Sequence, residues 1–156
     1  MAGSQEWRVR AATADDRAFL ASLAPRLTIG RAPWIDRDAM LATMRGYLLG
    51  DLERMGPEVA VFLVEGPEGT PAGALSIERN RHFTGVEQAY VGELVVAEEA
   101  EGQGAATALL AAAETWAHER GARLIALETG VRNTRARTFY ERHGYGEESI
   151  KLVKVL

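Results

Sequence analysis

Residues 94–106, Leu-Val-Val-Ala-Glu-Glu-Ala-Glu-Gly-Gln-Gly-Ala-Ala, carry an apolar strand through a turn with two glycines into an Ala/Leu-rich helix. The chemistry open to such a turn is anion binding. The first turn of a helix leaves backbone N–H donors unsatisfied and bears the positive end of the macrodipole, so a phosphate or pyrophosphate fits there without a side chain. Gly102 and Gly104 allow the ligand to approach the backbone closely. There is no P-loop lysine and no complete G-x-G-x-x-G, because Thr107 stands where the last glycine would be. Walker-type NTPase and Rossmann readings are therefore weak. Taken alone, the turn is as consistent with a structural role as with an anion site.

A second stretch changes that balance: Leu127-Glu128-Thr129, then Asn133, Ala136, Phe139-Tyr140-Glu141 and Gly144-Tyr145. The two stretches, in this order and at this spacing, resemble the GNAT-type N-acetyltransferase superfamily, whose members transfer an acyl group from acetyl-coenzyme A to an amine. The core of the resemblance runs from about Tyr90 to Tyr145. It implies that backbone groups of Leu94, Val95 and Val96 border the pantetheine arm. It also implies that the turn of Gly102, Gln103, Gly104, Ala105 and Ala106 holds the pyrophosphate, with Gly104 and Ala106 matching the Gly-x-Gly/Ala end of the family's loop. Asn133 stands where many members touch the coenzyme arm, and Tyr140 where a tyrosine often protonates the departing thiolate.

Glu101 opens the same coenzyme-binding loop and departs from the pattern, since the family usually has Arg or Gln there. Glu98, Glu99 and Glu101 would all stand near a polyanion. Main-chain N–H groups can hold the pyrophosphate regardless, and a side chain in water is screened over roughly 8–10 Å. Arg132, Arg135, Arg137 and Arg142 bracket the following helix and are available as compensating charge.

An amine acceptor is mostly protonated near neutral pH, so attack on a thioester needs a base, acting directly or through water. Glu93 is the leading candidate. It stands just before the residues expected to line the thioester, where partial burial would raise its pKa from about 4.3. The competing reading is a strand glutamate paired with an arginine. Glu78 and His82 are the other candidates. A phenol near 10 cannot fully protonate a thiolate near 8.5 without help, a gap of roughly 2 kcal/mol, so the hydrogen bond from Tyr140 to the developing sulfur charge is its main contribution. Asn133 is equally suited to cap a helix. Glu128 is assigned no catalysis, and His118 and His143, near helix C-termini, are read as structural. His118-Glu119 is not a zinc-protease motif because position 122 is Ala, and no metal site is expected.

The elements that must position these groups follow from periodicity. Trp7–Ala11 alternates as a strand, Thr13 to Asp16 matches a capping box, and Phe19, Leu20 and Leu23 mark a helix that Pro25 should end near Ala24. Leu27–Ile35 reads as a loop. Asp36 caps a second helix, with Met40, Leu41, Met44, Leu48 and Leu52 at helical spacing to about Arg54. Glu58–Glu65 and Ala72–Glu78 form a hairpin around a Gly/Pro turn, and Gln88–Val96 is a further strand, with Ala89, Val91, Glu93 and Val95 expected on one face. Helices over Gly102–Arg120 and Asn133–His143 flank a strand at Leu124–Thr129, and Tyr145–Leu156 alternates well enough for one or two last strands. The order is β-α-α-β-β-β-α-β-α-β(-β). With the resemblance, this implies an α/β (mixed α+β) fold with a mostly antiparallel sheet of six to seven strands and about four helices.

The chain of 156 residues is read as one domain, with residues 1–87 on the acceptor side and 88–145 as the acetyl-CoA-binding core. With 47% hydrophobic and 26% charged residues it can fill a core, and a net charge of −4 lacks the basic excess of a nucleic-acid binder. The absence of cysteine excludes thiolate catalysis and disulfides, in keeping with direct attack without a covalent enzyme intermediate. Met1–Trp7 shows no secretory signal and no segment is apolar enough to span a membrane, so a cytoplasmic setting is the expectation. Acceptor recognition falls to the 27–35 loop, the second helix and the Arg79–Gly85 link, where Trp34 and Tyr47 suggest a cation–π contact; Trp7 and Trp116 are read as packing. The acceptor is a small-molecule or protein amine. The apolar segment Ile150–Leu156 suggests a homodimer. Two rivals remain: a non-enzymatic acyl-CoA sensor or interaction module on the same fold, and a nucleotide-binding domain using the 102–106 turn.

Overall fold

In the computed structural model, residues 6–156 are described; Met1–Gln5, part of the segment read as lacking a signal, lie outside the described residues. Five strands form one sheet in the order β1 (Arg8–Ala11), β2 (Val59–Glu65), β3 (Pro71–Arg81), β4 (Glu87–Val96) and β5 (Leu124–Leu127). The first three pairings are antiparallel, whereas β4 and β5 run parallel. A parallel neighbour requires a crossover, which is supplied by α3 (Ala105–Glu119). The remaining helices are α1 (Arg17–Leu23), α2 (Arg37–Glu53) and α4 (Thr134–Arg142).

Each sheet face is closed by a different layer. On one face, Leu109, Ala113, Trp116 and Ala117 of α3 pack on Val64, Leu75, Ile77, Ala89 and Val91. On the other, Leu20, Leu23 and Leu48 from α1 and α2 pack on Val61, Leu63, Ala74 and Val95. The alternation of Val61 and Leu63 with Ala60, Phe62 and Val64 in β2 is what feeds both layers at once.

The sheet has five strands rather than six or seven, because Tyr145–Leu156 makes no strand among the described residues. Gly146 is followed by Glu147 and Glu148, whose side chains bind Arg137 and, at 2.8 Å, His82. Ion pairs rather than a backbone ladder hold that stretch, and the apolar residues after it are open to solvent, with Leu152 90% exposed. Two helix ends also differ from expectation. α3 begins at Ala105 and not at Gly102, because Gly102 and Gly104 have φ of 69° and 92°, in the left-handed region. At the other, the α-helix ends at Leu23, near Ala24 as expected, but the chain continues as a 3-10 segment through Thr28 where a loop was expected from Leu27, with Pro25 at its start where a missing N–H costs nothing.

Candidate active site

The site is built around a discontinuity in β4. Ser76 of β3 pairs with Glu93, but Ile77 pairs with Val91, so Gly92 is an extra residue, a β-bulge. The bulge reverses the alternation. Ala89 and Val91 face α3, whereas Val95 packs with Leu48 on the α2 side, and Glu93, opposite Ser76, lies on that same side. The expected grouping of Glu93 with Ala89 and Val91 is thus corrected, since an unbroken period of two cannot pass through a bulge. Gly92 is required here because a Cβ would stand 2.9 Å from Ser76 Oγ and 3.4 Å from Asp51 Oδ2. Ser76 Oγ in turn accepts the Glu93 N–H at 3.1 Å, fixing the backbone from which the carboxylate projects.

Beyond the bulge β4 also loses a neighbour. β5 pairs only with Gln88–Val91, so the edge from Gly92 to Val96 is without a strand on that side. The backbone groups of Leu94 and Val96 therefore point to this open edge, where the Val96 carbonyl accepts Arg26 Nε at 2.6 Å, while those of Val95 point towards β3. Beyond Val96 the chain runs through Glu98–Ala100 into the glycine turn. There Gln103 Nε2 donates to Glu99 O at 2.7 Å, and Trp7 Nε1 donates to Gln103 O at 2.6 Å, bracing the turn from behind. Ala105 and Ala106 form the first turn of α3, whose N–H groups have no intrahelical acceptor.

Glu101 does not point free into water. It binds Arg26, from the 3-10 segment after α1, and Arg135 on α4. The carboxylate that looked unfavourable for a polyanion thus holds two guanidinium groups beside the turn, which more than offset its own charge and stand against those of the exposed Glu98 and Glu99. Of the other arginines flanking α4, Arg137 is drawn away to Glu147.

Glu93 and Tyr140, far apart in sequence, are close enough to interact electrostatically. Burial, and secondarily the Asp51 carboxylate, push the Glu93 carboxyl up to about 7. Burial, and secondarily the charge on Glu93, push the Tyr140 phenol up to about 12. Tyr140 is held by an edge-on contact with Phe139, at 5.3 Å, and by Tyr145 at 5.8 Å. Asn133 caps α4, its Oδ1 accepting the Ala136 N–H at 3.2 Å, and its Cβ lies so near Gly30 that a side chain there would meet it at 2.8 Å. The 27–35 loop therefore touches the start of α4. Glu78 is engaged by Arg54 at 3.1 Å and His82 by Glu148, while Glu93 has no cation partner among the described residues. Trp34 and Tyr47 are exposed, and His143 is fixed by Phe139 O and Thr107.

Four participants escaped the sequence reading: Arg26, Asp51, Arg54 and Ser76. Asp51 left a trace, as a carboxylate set among Leu48, Leu49 and Leu52 on α2; the other three become visible only through the register of β4 and the path of the chain after α1.

Comparison with known proteins agrees with this geometry. The Acetyltransferase (GNAT) family pattern matches residues 28–145. The chain is 32% identical over 101 residues to YhfO, an uncharacterized N-acetyltransferase of Bacillus subtilis, covering 56% of this chain and 68% of that protein. It is 38% identical over 73 residues to N-alpha-acetyltransferase 30 of Schizosaccharomyces pombe, covering 47% of this chain and 49% of that protein. In fold it is similar to a putative acetyl transferase from Pyrococcus furiosus, with a TM-score of 0.78 and 24% identity over 97% of this chain and 100% of the other. It is also similar in fold to an aminoglycoside N-acetyltransferase in complex with CoA, with a TM-score of 0.72 and 18% identity over 99% and 98% of the two chains. The chain belongs to the GNAT acetyltransferase family and is a GNAT N-acetyltransferase.

Proposed function

We propose that the protein transfers the acetyl group of acetyl-CoA to a primary amine by direct attack, with Glu93 as the base and Tyr140 as the donor to sulfur. The observation that carries the reading is that burial raises two groups, Glu93 and Tyr140, that act on each other electrostatically. A carboxyl raised to about 7 is half ionised where a base is most useful, and a phenol raised to about 12 keeps its proton for donation. Acetyl-CoA supplies the activated acyl group as a thioester. The residues present fit it: a free β4 edge at Leu94–Val96 for the pantetheine amides, and the turn Gly102, Gln103, Gly104, Ala105 and Ala106 with its helix N-terminus for the pyrophosphate. Asn133, although it caps α4, keeps its amide N–H groups to donate to the coenzyme arm.

In the forward step Glu93 takes a proton from the acceptor ammonium, the freed nitrogen forms a bond to the acyl carbon, and the carbon–sulfur bond breaks. Tyr140 meets the negative charge that gathers on sulfur. The electron pair ends on the thiolate and the second amine proton goes to solvent or through Tyr140. The acceptor enters from the α2 side, to which the bulge turns Glu93. The test is thiol release from acetyl-CoA across a panel of amines, paired with calorimetric titration of acetyl-CoA, CoA and ATP. Turnover with at least one amine, and coenzyme binding that ATP does not compete away, support the reading; coenzyme binding without turnover across the panel would establish the sensor instead.

We also propose self-association through Ile150–Leu156, a stretch without a ladder partner and with its apolar side chains exposed. Sedimentation showing only monomer at micromolar concentration removes that proposal.

A further inference from the structure

The C-terminal end of α2 lies over the bulge of β4 and brings a charged pair to it. Asp51 Oδ2 is 3.4 Å from the point where a Gly92 Cβ would stand, and Arg54 Nη2 donates to Asp51 Oδ1 at 2.5 Å and to Glu78 Oε2 at 3.1 Å. The Asp51 side chain is mostly covered, at 16% exposure, while Arg54 is 56% exposed and approaches from the solvent side. The acetyl-transfer step described above assigns this pair no role. We propose that Asp51 and Arg54 are positioning residues for the acceptor site: Asp51 presents a fixed negative charge to Glu93 across the side-chain-free gap at Gly92, and Arg54 holds that charge in place and tempers it.

The geometry explains why α2 carries a carboxylate on an otherwise apolar stripe. A side chain at 92 would press on Ser76 Oγ and reach the Asp51 carboxylate. Arg54 engages Asp51 and Glu78 but not Glu93, so the base stays free of a cation that would hold it ionised and unreactive towards protons. The other groups around the site come from every neighbouring element: Glu78 on β3, Tyr90 on β4, Glu128 after β5 and Tyr140 on α4. The charges of Glu78, Glu93 and Glu128 all bear on Tyr90, and that of Glu93 on Tyr140. Of these groups, Asp51 is the one whose charge bears on Glu93 itself, in the direction that favours its protonated form.

The proposal rests on the reading of Glu93 as the base, and its test separates the two. Glutamate carboxyl carbons labelled with carbon-13 are followed by NMR from pH 4 to 9 in the full chain, with Glu93→Gln identifying the Glu93 resonance. In Asp51→Asn the Glu93 midpoint is expected to move to lower pH. In Arg54→Gln, which leaves Asp51 and Glu78 uncompensated, it is expected to move to higher pH, and Arg54→Lys should restore it. The acid limb of kcat/KM for an accepted amine should follow the same two directions. General loosening of the site would move both variants the same way, and that outcome, or an unchanged midpoint in Asp51→Asn, overturns the proposal. Opposite NMR shifts without turnover on any amine would leave the charge pair standing and bring down the acetyl-transfer reading alone.

Discussion

The two ends of the free β4 edge each carry a glutamate, and the fold treats them in opposite ways. At the glycine turn, Glu101 is surrounded by Arg26 and Arg135, so its charge is more than cancelled. At the bulge, Glu93 is half-buried, has no cation partner among the described residues and feels a second carboxylate, so its charge is made costly. The difference follows the needs of each end. A polyanion needs a positive field that stays constant, and a pair of fixed guanidinium groups provides it. Proton transfer needs a group that is neither permanently charged nor permanently neutral near pH 7, and desolvation provides that. A glutamate is therefore not a base by virtue of its type; the packing around it decides.

The comparison is broken most severely at the bulge. Glu93→Gln keeps the shape and removes the proposed proton acceptor, so kcat should fall by about 10²–10⁴-fold, the usual contribution of a positioned base. Acetyl-CoA affinity, measured calorimetrically, should be unchanged, because the turn and its arginines are untouched. In the intact enzyme kcat/KM should rise with pH through about 7 as Glu93 ionises. Tyr140→Phe removes the proposed donor to sulfur and should lower kcat by up to about 10²-fold, the lower edge of what a lost charge-stabilising donor costs. A loss greater in kcat than in kcat/KM of binding-limited amines would be seen in steady-state kinetics.

Stability sharpens the same contrast. The folded chain holds a proton on Glu93 up to about pH 7, whereas the unfolded chain releases it near 4.5. Between those values the native state binds more protons, so this group makes stability fall as pH rises, by roughly 1–3 kcal/mol once both forms are ionised. Glu93→Gln should accordingly melt higher than the parent at pH 8 and at about the same temperature at pH 4. A variant that is less active and more stable is what a site held against its own charge predicts. Equal melting at both pH values would mean that Glu93 is well solvated.

Much of this architecture was legible in the chain. Asp36 as a cap, the hairpin around residues 66–70, the strand–loop–helix–strand unit from β4 through α3 to β5, and Asn133 at the start of α4 all follow from local chemistry that tertiary packing reinforces. The bulge at Gly92 was not, because one inserted residue is set by the register of the partner strand and leaves no local mark beyond a glycine. The face of Glu93 was misread for that reason. The last strands failed differently: Tyr145–Leu156 has the alternation of a strand, but alternation states only what a segment can pair with. The ion pairs at Glu147 and Glu148 occupy its first residues instead, and β5 is only four residues long. Glu101 looked like a defect because its partners, Arg26 and Arg135, lie 75 and 34 residues away.

The smallest effects belong to that glutamate. Arg135 is 68% exposed, so its contribution is that of a screened surface charge near a phosphate, and Arg135→Gln should weaken acetyl-CoA by only a few-fold at low salt, with less effect as salt rises. Arg137→Gln is the control, since Arg137 is committed to Glu147. Glu101→Gln removes a negative charge from the turn and releases both guanidinium groups towards the phosphates, so acetyl-CoA should bind somewhat more tightly and with a steeper salt dependence. Trp7 provides the readout: its indole N–H is bonded to Gln103 O and its ring lies within 3.7 Å of the Gly104 Cβ position, so its emission should change when the turn is filled. If Glu101→Gln instead weakened binding, the carboxylate would be organising the arginines more than opposing the ligand, and the two ends of β4 would share a principle: at each, a carboxylate is kept for what it does to its neighbours.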